Sequence, residues 1–365
     1  MKIALLEPYF IHSHRKWAEG LREHSQHEIK IFSLSGAHWK WRMHGGAITL
    51  AMEMIETGFI PDLVLVSDMT DLTTVRSLLH QKRINVPCLV YFHENQLTYP
   101  WSAGDVDVKL KRDRHYAFIN YTSALCADAV LWNSDYHQNV FLDALPKFLE
   151  AFPDHQNVET VEEIKRKSHT IYPGIDFSAL ENFKTEEKYD APLVLWNHRW
   201  EYDKNAEDFF DALYLLSERG VNFKLAVAGQ SFGEIPNVFD EARTRLSAHI
   251  VHWGFAESFK EYARLLWIAD VLPVTSRQEF FGYSVLEAVH CSAYPLLPDR
   301  LVYREHFSDD EFFYHNHDEL ISKLEILLTT KKYDAFVGEK LTQHLAWEKL
   351  VKQYDTFFET FAIKS

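Results

Sequence analysis

Short apolar runs recur along the first half of the chain at Ile3–Leu6, Ile29–Leu34, Leu63–Val66, Cys88–Phe92, Ala129–Trp132 and His169–Tyr172. Longer stretches between them, such as Thr73–Gln81 and Tyr116–Cys126, space their apolar residues at helical intervals. Strand alternating with helix predicts a parallel sheet covered on both faces. After Pro173-Gly174-Ile175-Asp176 the pattern stops, and the polar segment Glu181–Asp190 has no apolar period, which predicts a linker. The pattern restarts with strands at Leu193–Trp196, Phe223–Ala228, Ile250–Trp253 and Val271–Val274. Helices follow at Ala206–Arg219, Lys260–Ala269 and Tyr283–Cys291. A second doubly wound α/β domain is predicted, and two such domains would face each other across a cleft at the carboxyl ends of their sheets. The boundaries read as 1–175 and 190–344. The tail, 345–365, carries Leu345, Leu350, Tyr354, Phe357, Phe358 and Phe361 at helical spacing. It would either return to the first domain or complete the core of the second.

Length and composition narrow the class. A chain of 365 residues has room for two cores. Three scattered cysteines, Cys88, Cys126 and Cys291, form neither a disulfide framework nor a zinc ribbon, which suits a reducing, cytoplasmic setting. No apolar run reaches membrane-spanning length, and Met1–Glu7 is too short for a signal segment. A net charge of −15 excludes a protein that coats nucleic acid through bulk electrostatics, though not a local basic patch. Lys109, Lys111, Arg112 and Arg114 form one such patch and Lys165-Arg166-Lys167 another; each also reads as a solvated helix face.

Candidate chemistry gathers where strands end. Glu279-Phe280-Phe281-Gly282 leads from an apolar strand into the helix that carries Glu287. A helix N-terminus there offers free N–H groups to a phosphate, and two carboxylates can accept hydrogen bonds from sugar hydroxyls. Arg199 and Lys204 lie in the loop after Leu193–Trp196, a planar fork and a point charge that can share one pyrophosphate. The competing reading is surface pairing with Glu201 and Asp203. His93, Glu94 and Asn95 end the buried strand Leu89–Phe92, and Gly229 and Gly254 end later strands where backbone can approach a nucleotide. Asp105-Val106-Asp107 is an Asp-x-Asp in a loop, and His12/His14 and His315/His317 are near-neighbour pairs. None has a third ligand at metal spacing, so no metal is expected and these histidines read as surface groups.

The order of these elements resembles the retaining glycosyltransferases of the GT-B fold, in the large family 4. More narrowly, His38-Trp39-Lys40-Trp41-Arg42, Tyr91 to Pro100, His198 to Lys204 and Glu279 to Gly282 resemble the tRNA-queuosine α-mannosyltransferases. The resemblance runs over nearly the whole chain. It implies transfer of mannose from GDP-mannose to queuosine at the wobble position of a tRNA of the tRNA-Asp type, with retention and without a metal or other cofactor. By similarity Arg199 and Lys204 would bind the donor pyrophosphate, Glu287 the ribose, Glu279 the mannose, and His93 the sugar and the acceptor. Phe281 and Gly282 would open the donor-binding helix.

One departure from the family pattern is the first strand-to-helix loop, where Phe10-Ile11-His12-Ser13-His14 stands in place of glycines. Backbone N–H groups at Ser13 and His14 would have to serve the phosphate. Trp39, Trp41 and Arg42, in a loop after the second strand, suit stacking on an unpaired base and equally read as tryptophans covering a hydrophobic edge; Glu94, Asn95, Lys111 and Arg112 are also expected on the acceptor side. Guanine recognition through backbone near Gly254 completes the expected set. Two alternatives stay open at this point: a same-fold enzyme acting on a small molecule or lipid, and a catalytically silent nucleotide-sugar or tRNA binder. Oligomeric state cannot be read from the sequence.

Overall fold

The computed structural model describes residues 1–102, 104–110, 114–229 and 236–362. It divides into two compact units, Met1–Ile175 together with the segment from Leu345 onward, and Asp176–His344.

In the first unit β1 (Lys2–Phe10), β2 (Glu28–Ser35), β3 (Leu63–Ser67), β4 (Cys88–Phe92), β5 (Ala129–Trp132) and β6 (Ser168–Thr170) form one parallel sheet in the order β2-β1-β3-β4-β5-β6. Because both faces are covered, the central strands β3, β4 and β5 are buried at every position, and alternate residues feed two separate cores. Ala4, Leu6, Val64, Val66 and Val90 pack on one side with Leu50, Met54, Val75 and Phe141. Ile3, Leu5, Leu65, Leu89 and Tyr91 pack on the other with Trp17, Leu21 and the C-terminal helix Trp347–Glu359.

That last helix is locked by polar contacts as well as by its aromatic stripe. The Trp17 indole N–H donates to the Tyr354 hydroxyl at 3.1 Å, and that hydroxyl donates to the Tyr172 carbonyl at 3.1 Å. Gly174 makes room for it, since a Cβ there would lie 2.2 Å from the Trp347 ring.

The second unit holds β7 (Leu193–Trp196), β8 (Lys224–Ala228), β9 (Ile250–Gly254), β10 (Val271–Pro273), β11 (Tyr294–Pro298) and β12 (Phe313–Tyr314), in the order β12-β11-β10-β7-β8-β9. Read from β9, this is third, second, first, fourth, fifth, sixth, the order of dinucleotide-binding sheets, whose ligands sit where the winding reverses. The reversal falls between β7 and β10 here, and between β1 and β3 in the first unit. Both units are therefore doubly wound α/β domains, as the alternation of strand and helix predicts.

Two local expectations need correction. The polar segment Glu181–Asp190 is tied to the second unit rather than free. Lys188 Nζ donates to the Trp267 and Ala269 carbonyls and pairs with Asp270 at 3.0 Å, which neutralises the end of the helix Phe259–Ile268. Trp39–Trp41 form a helical turn continued by a π-helical turn, Arg42–Gly46, rather than a loop. Among the described residues no helix is long and apolar enough to cross a membrane.

Candidate functional site

In the second unit, the loops after β7 and β10 meet at the winding reversal and interlock. Lys204 is buried, and its Nζ lies 3.1 Å from Glu279 Oε2, 3.2 Å from Asp203 Oδ2 and 3.1 Å from the Gln278 carbonyl. Thr275 Oγ1 donates to the Lys204 and Asn205 carbonyls, and the Arg277 N–H donates to the Asp203 carbonyl at 2.7 Å. Burial disfavours the ammonium, yet Asp203 and Glu279 together raise Lys204 above its ordinary value. Burial likewise works against Glu279, and Lys204 more than offsets it, holding the carboxyl below its usual range. Both groups are charged at neutral pH.

The other oxygen of Glu279 accepts the Gly282 N–H at 3.1 Å and the Phe281 N–H at 3.4 Å, fixing the entry to the helix Tyr283–His290. Gly282 sits there at φ 91°, a left-handed conformation that favours glycine. Phe281 is buried, and its carbonyl accepts from His306 Nε2. Asn197 donates to the Ser284 carbonyl and His198 Nδ1 lies 3.1 Å from Ser284 Oγ, so the β7 loop is sewn to the first turn of that helix. Burial, then Lys204, pushes His198 down to about 3, and the uncharged ring leaves a buried Nε2 without a protein partner. Glu287 lies inside the same helix and accepts from the Tyr262 hydroxyl at 2.7 Å.

These contacts separate the two cations. Lys204 spends its three N–H directions inside the protein, holding two carboxylates and a carbonyl. Arg199 keeps its guanidinium half exposed, with its Nη2 3.8 Å from Asp203. Of the expected pair, Arg199 is the more exposed, and Lys204 is buried among the acids. Asp203 joins them; at sequence level it reads only as a surface partner of Arg199. Gly229 is explained by packing, since a Cβ there would lie 2.2 Å from the His198 carbonyl oxygen. Gly254, at φ 115°, has open space where a Cβ would point, and its carbonyl accepts the Gly229 N–H.

The first unit's reversal holds a different cluster. Glu7, near the end of β1, is fully buried; one oxygen accepts the Tyr9 N–H at 2.8 Å and the other lies 3.0 Å from His14 Nδ1. Ser13 and His14 open the helix His12–His24, and the His14 ring lies 4.2 Å from the ring of His93, centroid to centroid. The expectation of surface histidines therefore fails at His14, which is buried. The His93 N–H donates to Asp68 Oδ1 at 2.8 Å and its carbonyl accepts from Asn133 at 2.8 Å, so β3 and β5 fix its backbone.

Charge states follow from this arrangement. Burial opposes a charge on His14, but Glu7, with Asp68 and Glu94 behind it, carries the imidazole up to about 9. Burial, then the neighbouring His14, drives His93 well below its ordinary value, and burial drives Asp68 well above its own. Among the described residues, His93 Nε2 and Asp68 Oδ2 are buried and have no protein partner, the signature of a polar position completed by a ligand or water. Donor atoms of Glu7, His14 and His93 lie within 4.8 Å of one another, a spacing an ion could use. Both Glu7 oxygens are already committed, however, and the proton shared with His14 supplies the positive charge.

On the acceptor side, Glu94 is half-buried and accepts from Gln96 Nε2. Asn95 is fully buried and spends its side chain on Leu97, Thr98 and the Thr98 hydroxyl, so it shapes the loop rather than facing a ligand. Trp39 packs among Met43, Met69, Tyr116 and Trp101, whereas Trp41 is 64% exposed. Arg42 is tied to Ser35. Asp105 and Asp107 each hold Lys40 Nζ at 2.6 Å, which accounts for the Asp-x-Asp as an ion pair. Lys109 and Arg114 are exposed; Lys111 and Arg112 lie outside the described residues. Lys167 caps the carbonyls of Leu125 and Ala127.

The two doubly wound sheets are those of the GT-B fold, and the match of the second unit makes the chain a glycosyltransferase. Residues 178–343 match the model for glycosyl transferases group 1. Solved structures with this fold include sucrose-phosphate synthase from Thermosynechococcus elongatus, with a TM-score of 0.72 at 14% identity over 100% of both chains. HepE from Anabaena in complex with UDP gives a TM-score of 0.66 at 14% identity over 99% of this chain and 100% of that one.

The first unit narrows the class. Residues 2–175 match the tRNA-queuosine alpha-mannosyltransferase N-terminal model. A Drosophila melanogaster protein named tRNA-queuosine alpha-mannosyltransferase is 34% identical over 98% of this chain and 91% of its own length. The chain belongs to the tRNA-queuosine alpha-mannosyltransferase family.

Proposed function

We propose that the protein transfers mannose from GDP-mannose to the cyclopentenediol of queuosine in a tRNA anticodon, with retention at the anomeric carbon. The observation that carries this reading is the whole-length relationship to the fly protein, whose name states the transfer. The bond from the anomeric carbon to the diphosphate breaks and a bond to a queuosine hydroxyl forms on the same face; the hydroxyl proton leaves with GDP.

The second unit suits the donor. Arg199 meets the diphosphate as negative charge grows on it, and the N–H groups that open the helix Tyr283–His290 reinforce it. Glu279, held charged by Lys204, faces the mannose hydroxyls, and Glu287 lies on the same helix for the ribose. Arg199 and a helix end, with Lys204 holding the acids behind them, take the electrostatic role that a divalent ion plays in other transferases, so no metal is expected in the reaction. In the first unit the free Nε2 of His93 meets a substrate hydroxyl, and Trp41 offers a face to an anticodon base.

Incubation with radiolabelled GDP-mannose and total tRNA, prepared with and without queuosine, tests this directly. Label is expected only in the queuosine-containing tRNA. Label in neither, or in a lipid or small-molecule fraction instead, overturns the assignment.

A further inference from the structure

Glu7 has a role that none of the expected binding contacts explains. A carboxylate with no solvent exposure inside a parallel sheet requires a counter-charge, because an isolated buried charge is costly. Among the described residues its side-chain partner is His14, across 3.0 Å. His14 in turn lies close to His93, with centroids 4.2 Å apart and the rings tilted by 39°, near enough for its charge to act directly on that ring. Trp17 and Tyr91 close the remaining sides of His93, with centroids at 4.7 and 4.8 Å. The ring is thus caged on several sides while its Nε2 is left without a protein partner.

We propose that Glu7 and His14 are a paired positioning device for the transfer reaction: Glu7 holds His14 as an imidazolium, and that cation, laid against His93, keeps His93 uncharged and fixed so that its Nε2 meets a substrate hydroxyl. This rests on the reading of the protein as a glycosyltransferase whose substrate reaches His93. Two positive rings at 4.2 Å would repel, so the proton stays on the one with a carboxylate beneath it. The groups facing His14 are Glu7 and Tyr9 from β1, Asp68 at the end of β3, and His93 and Glu94 at the end of β4; the carboxylates among them all favour its charge. Nothing in the scheme consumes Glu7 or His14. They act through His93, and the loop that lacks the family's glycines gains a fixed cation instead.

The pair makes its own pH signature. A raised value in the folded protein means that the charge is present below it and lost as pH rises through it, so the rate should stay level to about pH 8 and fall through about 9 as His14 gives up its proton. Glu7→Gln keeps the side chain's shape and removes the counter-charge, leaving one accepting oxygen where the Tyr9 N–H and His14 each use their own. It should move this alkaline limb down by about one pH unit or more. At neutral pH kcat falls, and the KM for GDP-mannose stays within about twofold, because the donor groups are untouched. Glu7→Asp should restore part of the limb. A limb that stays in place in Glu7→Gln, or a loss that is equal at all pH, overturns the proposal.

If Glu7→Gln fails to fold, histidine ¹⁵N NMR of the wild-type protein decides, with His14 and His93 assigned by single substitution. His14 should titrate near 9 and His93 should show no protonation near 6.5. Ordinary titration of either ring sinks the device. That measurement uses no substrate, so its failure is distinct from a failure to transfer mannose.

Discussion

The two units share a winding plan and differ in how they treat charge at the reversal. The second gathers Arg199, Lys204, Asp203 and Glu279 into a network whose outer cation stays half exposed. The first gathers Glu7, His14, Asp68 and His93 into a buried group in which the carboxylate and the imidazole neutralise each other. A site with a half-exposed guanidinium at its edge is suited to an anion. One with a neutral ring nitrogen and a protonatable carboxyl is fitted to hydroxyl groups. The same sheet order therefore carries two different charge arrangements, a half-exposed ion network in one unit and a buried carboxylate–imidazole pair in the other. The loop residues decide which.

The hardest test of the comparison is removal of the buried cation. Lys204→Ala leaves Asp203 and Glu279 facing each other in a desolvated space, and breaking a buried ion network by taking one partner commonly costs about 3–5 kcal/mol. A large fall in the thermal midpoint of the second unit's unfolding is expected, with loss of GDP binding by calorimetry. Unchanged stability with weakened GDP binding would instead make Lys204 a direct phosphate ligand, and the division between organiser and contact residue would fall.

Next in size is Glu279→Gln. The change keeps the side chain's shape but removes the charge and leaves one accepting oxygen where Lys204 and the Gly282 N–H each use their own, and loss of one such electrostatic element commonly costs about a hundredfold or more in turnover. GDP affinity should stay within a few fold, because Arg199 and the helix end are intact. Parallel loss of affinity and turnover would show that Glu279 serves ground-state binding rather than the transfer step.

The sequence discloses these two clusters unequally, for a physical reason. Arg199, Lys204, Glu279 and Glu287 stand in loops or on a helix just past apolar runs, where a charge is visible against its surroundings, and the doubly wound fold follows from the strand and helix periods. Glu7 ends the run Ile3-Ala4-Leu5-Leu6 and reads as the polar close of a strand. Only the sheet register, which sets β1 between β2 and β3, reveals that it is buried. Asp203 is hidden differently: beside Arg199 and Lys204 it resembles an ordinary surface partner, and its burial depends on Arg277 and Thr275 arriving from β10. Trp39 and Trp41 look equivalent in the sequence, but the helical turn sends them in different directions.

That divergence gives the mildest test, and one that separates acceptor from donor. Trp41 presents a broad exposed surface while its ring rests on Gly45, where a Cβ would lie 2.8 Å from Trp41 Cε2; the ring is thus held in place with a face to offer. A base stacked on an aromatic ring contributes about 1–3 kcal/mol, so Trp41→Ala should raise the KM for tRNA by at least roughly fivefold. The KM for GDP-mannose and the thermal midpoint should not move. Trp39→Ala should do the reverse, because Trp39 fills space among Met43, Met69 and Tyr116, and its loss opens a cavity beneath the turn without removing an exposed face. Equal effects of the two substitutions on tRNA binding would mean that the turn acts only as a packed unit. The acceptor's stacking surface would then lie elsewhere in the first unit.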